Sequence, residues 1–298
     1  MGCSGLLLAS LAASLTRIAS AEANLYLAIN PLAFTEGGTA SGEVVKRRLE
    51  VNWYGEQPQP DDIIELTTLF SPSSQIVKIS DFPDNFFVFP GNLPYPTLDE
   101  MGFTGTCVFD LLAEWKRLSQ DGSEVSEEVL ASACLRSEPR WMEEHSESLQ
   151  ELKIGDLMLV GAHDAGAYRD YQGIGDDNWA TSAVFAQEED LLHQLIWGAR
   201  FLDIRAGFYP TTDERFWLVH GIIKTHPMME GINDVKEFLA NTKEIVVWEI
   251  NTFEQVFNLL LIQICGSWQN CLEPFLFKSC KNFAICLLNS RLFFKRNL

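Results

Sequence analysis

Between residues 151 and 257 short apolar runs alternate with polar loops and helix-period segments. Leu157-Met158-Leu159-Val160, Ala199-Arg200-Phe201-Leu202-Asp203-Ile204-Arg205, Phe216-Trp217-Leu218-Val219-His220 and Ile245-Val246-Val247-Trp248-Glu249-Ile250 have the length and side-chain types of strands buried on both faces. Helical spacing appears around Glu188-Glu189-Asp190-Leu191-Leu192 and along Ile232, Val235, Phe238 and Leu239. Strands interleaved with helices in this way predict parallel βα units, whose loops after the strands gather at one face. Residues 22–138 read differently. Alternating segments such as Asn24-Leu25-Tyr26-Leu27-Ala28-Ile29 and Arg48-Leu49-Glu50-Val51-Asn52-Trp53 are punctuated by Pro58, Pro60, Pro83, Pro90, Gly91, Pro94 and Pro96, a pace of turns that predicts a β-sandwich.

Three of the apolar runs in the second region end in reactive residues: Gly161-Ala162-His163-Asp164, Asp203-Ile204-Arg205 and Val219-His220-Gly221. Side chains alternate along a strand, so Asp203 and Arg205 project to the same side, and all of these groups are expected to meet one substrate. Two imidazoles can divide proton removal and proton donation near neutral pH. A guanidinium holds a phosphate bidentately and stabilises developing charge. The set is suited to cleaving a phosphodiester.

At these residues the chain resembles the catalytic X region of phosphatidylinositol-specific phospholipase C and of animal X-domain-containing proteins. Leu159-Val160-Gly161-Ala162-His163-Asp164 is similar to the family's Gly-(Ser/Thr)-His-(Asp/Asn) motif, and Leu218-Val219-His220-Gly221 to its third motif. Gly198-Ala199-Arg200-Phe201-Leu202-Asp203-Ile204-Arg205 resembles the second, in matching order and spacing over roughly residues 137–257. The resemblance implies that His163 is the base that activates the inositol 2-hydroxyl and that His220 protonates the departing diacylglycerol oxygen. Asp164 would orient and charge-stabilise an imidazole, that of His220, Asp203 would shape the inositol and phosphate pocket, and Arg205 would stabilise the phosphate. Asn251 matches a fourth-strand position taken in relatives by a carboxylate, lysine or asparagine, and is assigned to substrate binding. Calcium-dependent relatives place a metal-binding carboxylate where Arg205 stands, so no catalytic metal and no cofactor are expected. The stretches Asn52-Trp53-Tyr54-Gly55 and Pro60-Asp61-Asp62-Ile63-Ile64-Glu65-Leu66 resemble the immunoglobulin-like module that precedes the X region in some animal relatives, which implies a scaffolding or membrane-orienting role.

The expected organisation is therefore a signal peptide (1–21), a β-sandwich (22–138), the first half of an X-type TIM barrel (139–257) and a divergent tail (258–298). A complete (β/α)₈ barrel takes roughly 200–250 residues, whereas 148 follow position 150. The tail carries Lys278, Lys281, Arg291, Lys295 and Arg296 against Glu273 alone, together with Cys265, Cys271, Cys280 and Cys286. Its cysteine spacing matches no zinc pattern, and no clear period-2 strand stands out in it. It reads as an alternative or truncated ending that replaces half a barrel and leaves an unpaired strand edge through which chains would associate. Leu6-Leu7-Leu8-Ala9-Ser10-Leu11-Ala12-Ala13 followed by Ala19-Ser20-Ala21 has the form of a secretory leader. Met1-Gly2-Cys3 offers acylation and membrane association as the alternative. In an oxidising compartment Cys107 and Cys134 are the expected disulfide pair.

The net charge of −19 argues against a nucleic-acid partner, which demands a basic face. It also disfavours long-range attraction to anionic membranes, so contact with a phosphoinositide or other phosphodiester lipid would be local and peripheral. Two further readings stand beside the phosphodiesterase. One is a catalytically inactive isoform that serves as a lipid- or protein-binding module; the other keeps the chemistry but acts on a different phosphodiester lipid.

Overall fold

The computed structural model describes residues 22–30, 48–68, 71–121, 124–168, 184–254, 283–288 and 291–296. The expected leader, the acylation signature at Met1-Gly2-Cys3, and Cys265, Cys271 and Cys280 lie outside the described residues. The chain forms two compact units, the first containing residues 46–94 and 109–135 and the second containing residues 95–108 and those from 136 onward.

In the first unit, β1 (Asn24–Asn30), β2 (Arg48–Tyr54) and β5 (Phe86–Asn92) form one sheet in the order β1-β2-β5. β3 (Ile63–Thr68), β4 (Ser71–Lys78), β6 (Cys107–Asp121) and β7 (Glu124–Arg136) form another, in the order β4-β3-β6-β7. β2 shows the alternation that predicted it: Leu49, Val51 and Trp53 are buried while Glu50 and Asn52 are only half-buried. Burying one face of such a strand is what fixes its register. Asp62 is fully buried, and its carboxylate accepts from the backbone N–H of Gln59 at 2.9 Å, Trp115 Nε1 at 3.2 Å and Arg117 Nε and Nη2 at 3.0 and 2.9 Å. Cys107 and Cys134, the expected pair, are both disulfide-bonded.

The second unit is built on a half-barrel sheet. Its strands are β8 (Gly161–Ala162), β9 (Phe201–Phe208), β10 (Phe216–His220), β11 (Ile223–Pro227), β12 (Val246–Glu254), β13 (Phe283–Leu288) and β14 (Arg291–Arg296). They lie in the order β11-β10-β9-β12-β14-β13, with β8 on β9. Short helices α1 (Leu98–Met101), α2 (Trp141–Glu144) and α3 (Ser146–Leu149) precede the sheet. α4 (Leu191–Ile196) leads into β9, and α5 (Met228–Asn241) leads into β12. Asp190 caps α4 by accepting from the His193 N–H at 2.9 Å. The helical spacing read along Ile232, Val235, Phe238 and Leu239 is the buried face of α5.

Three expectations are corrected here. Leu157–Val160 is not a strand; only Gly161 and Ala162 pair, with Phe201 and Leu202, and Met158 and Val160 remain 97% and 64% exposed. β9 starts at Phe201, and upstream of Gly161 the contact with it is confined to the Val160 carbonyl, which accepts from the N–H groups of Arg200 and Phe201 at 2.9 and 3.2 Å. Second, the predicted parallel run is broken, since β8 and β12 are parallel to β9 but β10 is antiparallel to it and forms a hairpin with β11. Only residues 209–215 separate β9 from β10, too few for a parallel crossover, which takes a dozen or more. The hairpin closes by pairing His220 with Ile223, and Gly221 occupies its first central position at φ 56°, which favours glycine. Third, the edge after β12 is not left unpaired. β14 pairs antiparallel with Val246–Glu249 and β13 pairs with β14, so the tail supplies two strands and the proposed site of chain association is occupied by the chain itself. Backbone pairing needs an extended segment within reach, not a period-2 side-chain pattern, which is why the pattern missed them.

Arg200 and Glu244 lock the base of this sheet. Both are fully buried, and Arg200 Nε donates to Glu244 Oε2 at 2.7 Å. The remaining guanidinium N–H groups donate to the carbonyls of Leu195, Ala199, Glu138 and Pro139. Glu244 accepts from the backbone N–H groups of Met142 and Glu143. With both charges saturated, the pair ties the start of α2 to the starts of β9 and β12.

Candidate active site

β9 is the platform of the site, and the register of its neighbours explains the convergence. Ala162 lies beside Leu202 in parallel pairing, so the next residue, His163, arrives level with Asp203. Leu218 lies opposite Ala206 in antiparallel pairing, so His220, two residues on, arrives level with Ile204. The reactive groups thus meet at the middle of β9 rather than at a common strand end, because one of the two histidines comes from the opposite direction.

After His163 the backbone turns sharply, with Asp164 at φ 47°, a left-handed conformation that aspartate tolerates better than most residues. Asp203 fastens the turn from β9: its carbonyl accepts the Ala165 N–H at 2.8 Å, and its Oδ2 accepts the Asp164 N–H at 3.1 Å. The Gln187 side-chain amide closes it from another segment, donating to the His163 carbonyl at 2.7 Å.

The two imidazoles are anchored alike. Nδ1 of His163 is 3.0 Å from Asp203 Oδ2, and Nδ1 of His220 is hydrogen-bonded to the Val184 carbonyl. Carboxylates and carbonyls only accept, so a proton on each Nδ1 suits these neighbours and would leave each Nε2 for chemistry. Their surroundings differ. The His163 side chain is 74% exposed, with its Nε2 open. His220 is less exposed, and its Nε2 lies 3.6 Å from Asp164 Oδ2, too long for a hydrogen bond but close enough for charge to matter.

Asp164 is fully buried, and Arg205 Nε is 3.4 Å from its Oδ2. Burial pushes its carboxyl pKa up and outweighs the opposing pull of Arg205 and His220, while nearby Asp203 adds to the rise. Among the described residues neither oxygen of this carboxylate accepts a hydrogen bond. Arg205 is one-fifth exposed and meets no second acidic partner among the described residues, so its outer nitrogens can face an oxyanion.

Of the residues read from the sequence, His163, Asp164, Asp203, Arg205 and His220 come together. Asn251 stands apart. It is the extra residue of a bulge in β12, between Ile250 beside Ile204 and Thr252 beside Arg205, and is exposed. Bulges re-aim side chains and are frequent beside active sites, yet Asn251 makes no hydrogen bond to the cluster among the described residues. The sequence reading missed the Val184 carbonyl and Gln187, for which no motif gives a signal, and missed that Asp203 faces His163. No group of three or more His, Cys, Asp or Glu side chains suited to a metal ion occurs among the described residues.

The described site combines two imidazoles with an arginine on one sheet. The chain is similar to PI-PLC X domain-containing proteins. It is 26% identical over 113 residues to a PI-PLC X domain-containing protein of Dictyostelium discoideum, a match covering 34% of this chain and 19% of that protein. No protein-family model matches the sequence. Among solved structures it is similar to phosphatidylinositol-specific phospholipase C from Staphylococcus aureus. One structure of that enzyme aligns at 20% identity over 49% of this chain and 44% of that one, with a TM-score of 0.35. Another aligns at 22% over 43% and 42%, with a TM-score of 0.30. The chain thus spans about a fifth of the curated relative's length and under half of the solved enzyme's.

Proposed function

We propose that this chain is a phosphoric diester hydrolase that cleaves a phosphoinositide through a cyclic phosphodiester. The observation that carries the reading is the pair of imidazoles, both anchored through Nδ1 and both delivered to the middle of β9 beside Arg205. His163 Nε2 takes the proton from the hydroxyl next to the phosphate, and that oxygen forms a bond to phosphorus. The bond from phosphorus to the glyceryl oxygen breaks, and protonated His220 gives its Nε2 proton to the departing oxygen. The division of labour follows from the surroundings: the exposed His163 suits a base, and the Nε2 of His220, 3.6 Å from Asp164 Oδ2, suits the acid. Arg205 offers its outer nitrogens to the phosphate oxygens.

Arg205 supplies the positive charge that a catalytic cation would otherwise bring, so the reaction is read as metal-independent. Peripheral lipid contact is supported by Ile222 and Ile223, 79% and 44% exposed at the hairpin tip directly after His220. No helix among the described residues is long and apolar enough to cross a membrane. The two antiparallel sheets of the first unit are read as an immunoglobulin-like accessory module. The disulfide-bonded Cys107 and Cys134 fit passage through an oxidising, secretory compartment.

The test is cleavage of phosphatidylinositol vesicles by the purified chain with a chelator present, beside His163→Ala and His220→Ala controls. Release of cyclic inositol phosphate that requires both histidines is expected. No release from folded, soluble protein would sink the proposal and leave the binding module in its place.

A further inference from the structure

We propose that Asp203 is the positioning residue of His163: it selects the Nδ1–H tautomer and aims the bare Nε2 at the substrate. The inference rests on reading His163 as the base, and it gives Asp203 a different task from shaping the substrate pocket.

Three observations carry it. The His163 ring is 74% exposed, so packing does not hold it, and Asp203 Oδ2 at 3.0 Å from Nδ1 is the polar contact of the ring among the described residues. The same oxygen accepts the Asp164 N–H at 3.1 Å, and the Asp203 carbonyl accepts the Ala165 N–H at 2.8 Å. One residue therefore fixes both the imidazole and the turn that carries it. Asp203 is itself held in the interior of β9, only 9% exposed, and paired with β12 through Glu249.

The obvious competitor is Asp164, adjacent to His163 in sequence. Its left-handed backbone turns its carboxylate toward Arg205 Nε and His220 Nε2, at 3.4 and 3.6 Å. The carboxylates are thus crossed: the one next to His163 in the chain serves His220, and the one on the neighbouring strand serves His163. An exposed imidazole in water exchanges between its two neutral tautomers. A carboxylate facing Nδ1 removes that freedom and leaves the lone pair on Nε2, where a base needs it.

The test is ¹⁵N NMR of the full chain labelled in its imidazole nitrogens, with the His163 signals assigned by comparison with His163→Gln. In the unaltered chain the neutral ring is expected as Nδ1–H with Nε2 bare. Asp203→Asn keeps the shape but lets an amide N–H face Nδ1, which favours the opposite tautomer. Asp203→Ala removes the partner and leaves a mixture. Both variants should lower kcat by roughly 10²- to 10⁴-fold with KM little changed. An Nε2–H ring in the unaltered chain, or a tautomer that ignores both substitutions, overturns the inference. A tautomer that responds as expected in a chain that releases no cyclic phosphate supports the positioning role and counts against the proposed reaction instead.

Discussion

Asp62 in the first unit and Asp164 in the second are both fully buried carboxylates, yet their surroundings push them in opposite directions. Burial raises the pKa of each. Around Asp62, the bonds from Arg117, Gln59 and Trp115 overcome that push and hold it below the ordinary carboxylate value. Around Asp164 the cations stand off at 3.4 and 3.6 Å, burial wins, and the pKa rises. The same contrast recurs within one motif. Arg200 is saturated by Glu244 at 2.7 Å and by four carbonyls, whereas Arg205, five residues on, has one loose partner among the described residues. A saturated buried charge holds the fold together; an undersatisfied one is free to engage something else.

The largest effect expected from this contrast is on stability at the saturated pair. Glu244→Gln leaves Arg200 buried with its charge uncompensated and should cost about 3–5 kcal/mol, measured by denaturant unfolding. His163→Ala is the counterpart at the open site. It should lower kcat by roughly 10²- to 10⁴-fold while moving stability by no more than about 0.5 kcal/mol, because its side chain is 74% exposed. A large loss of stability in that variant would erase the distinction between the two kinds of site.

The two aspartates sharpen the comparison through pH. Asp62 has a depressed folded pKa, so its contribution is fully present above the unfolded value of about 3.9 and is lost as pH falls through the folded one. Asp62→Asn should therefore cost about 1–3 kcal/mol at pH 7 and progressively less in acid. Asp164 has a raised folded pKa. The sign reverses: its folded state favours the protonated form, and stability is lost as pH rises through the folded value. Asp164→Asn, which also suits the left-handed backbone there, should raise Tm at pH 7 while lowering activity. A fall in both would show Asp164 to be structural.

The second unit also shows where pattern reading runs out. The strand around Asp203 and Arg205, those ending at His220 and around Trp248, and the buried stripe of α5 were legible because hydrophobic period is a local property. The short segment before His163 misled, since an apolar run that meets its neighbouring strand only at its last residue remains largely exposed, as Met158 does. β13 and β14 were invisible for the converse reason, that their pairing depends on an edge supplied elsewhere in the chain.

The sequence by itself determined which chemistry was present: two histidines, two aspartates and an arginine, in an order that resembles one family. It also determined that Asp203 and Arg205 share a face, because alternation along a strand is fixed by backbone geometry. Only the tertiary structure decided that Asp203 faces His163, that His220 reaches β9 from an antiparallel strand, and that Val184 and Gln187 brace the site. Those facts depend on strand direction and on one left-handed residue, which place atoms that are distant in sequence within 3–4 Å of each other. Short-range patterns carry no information about such distances.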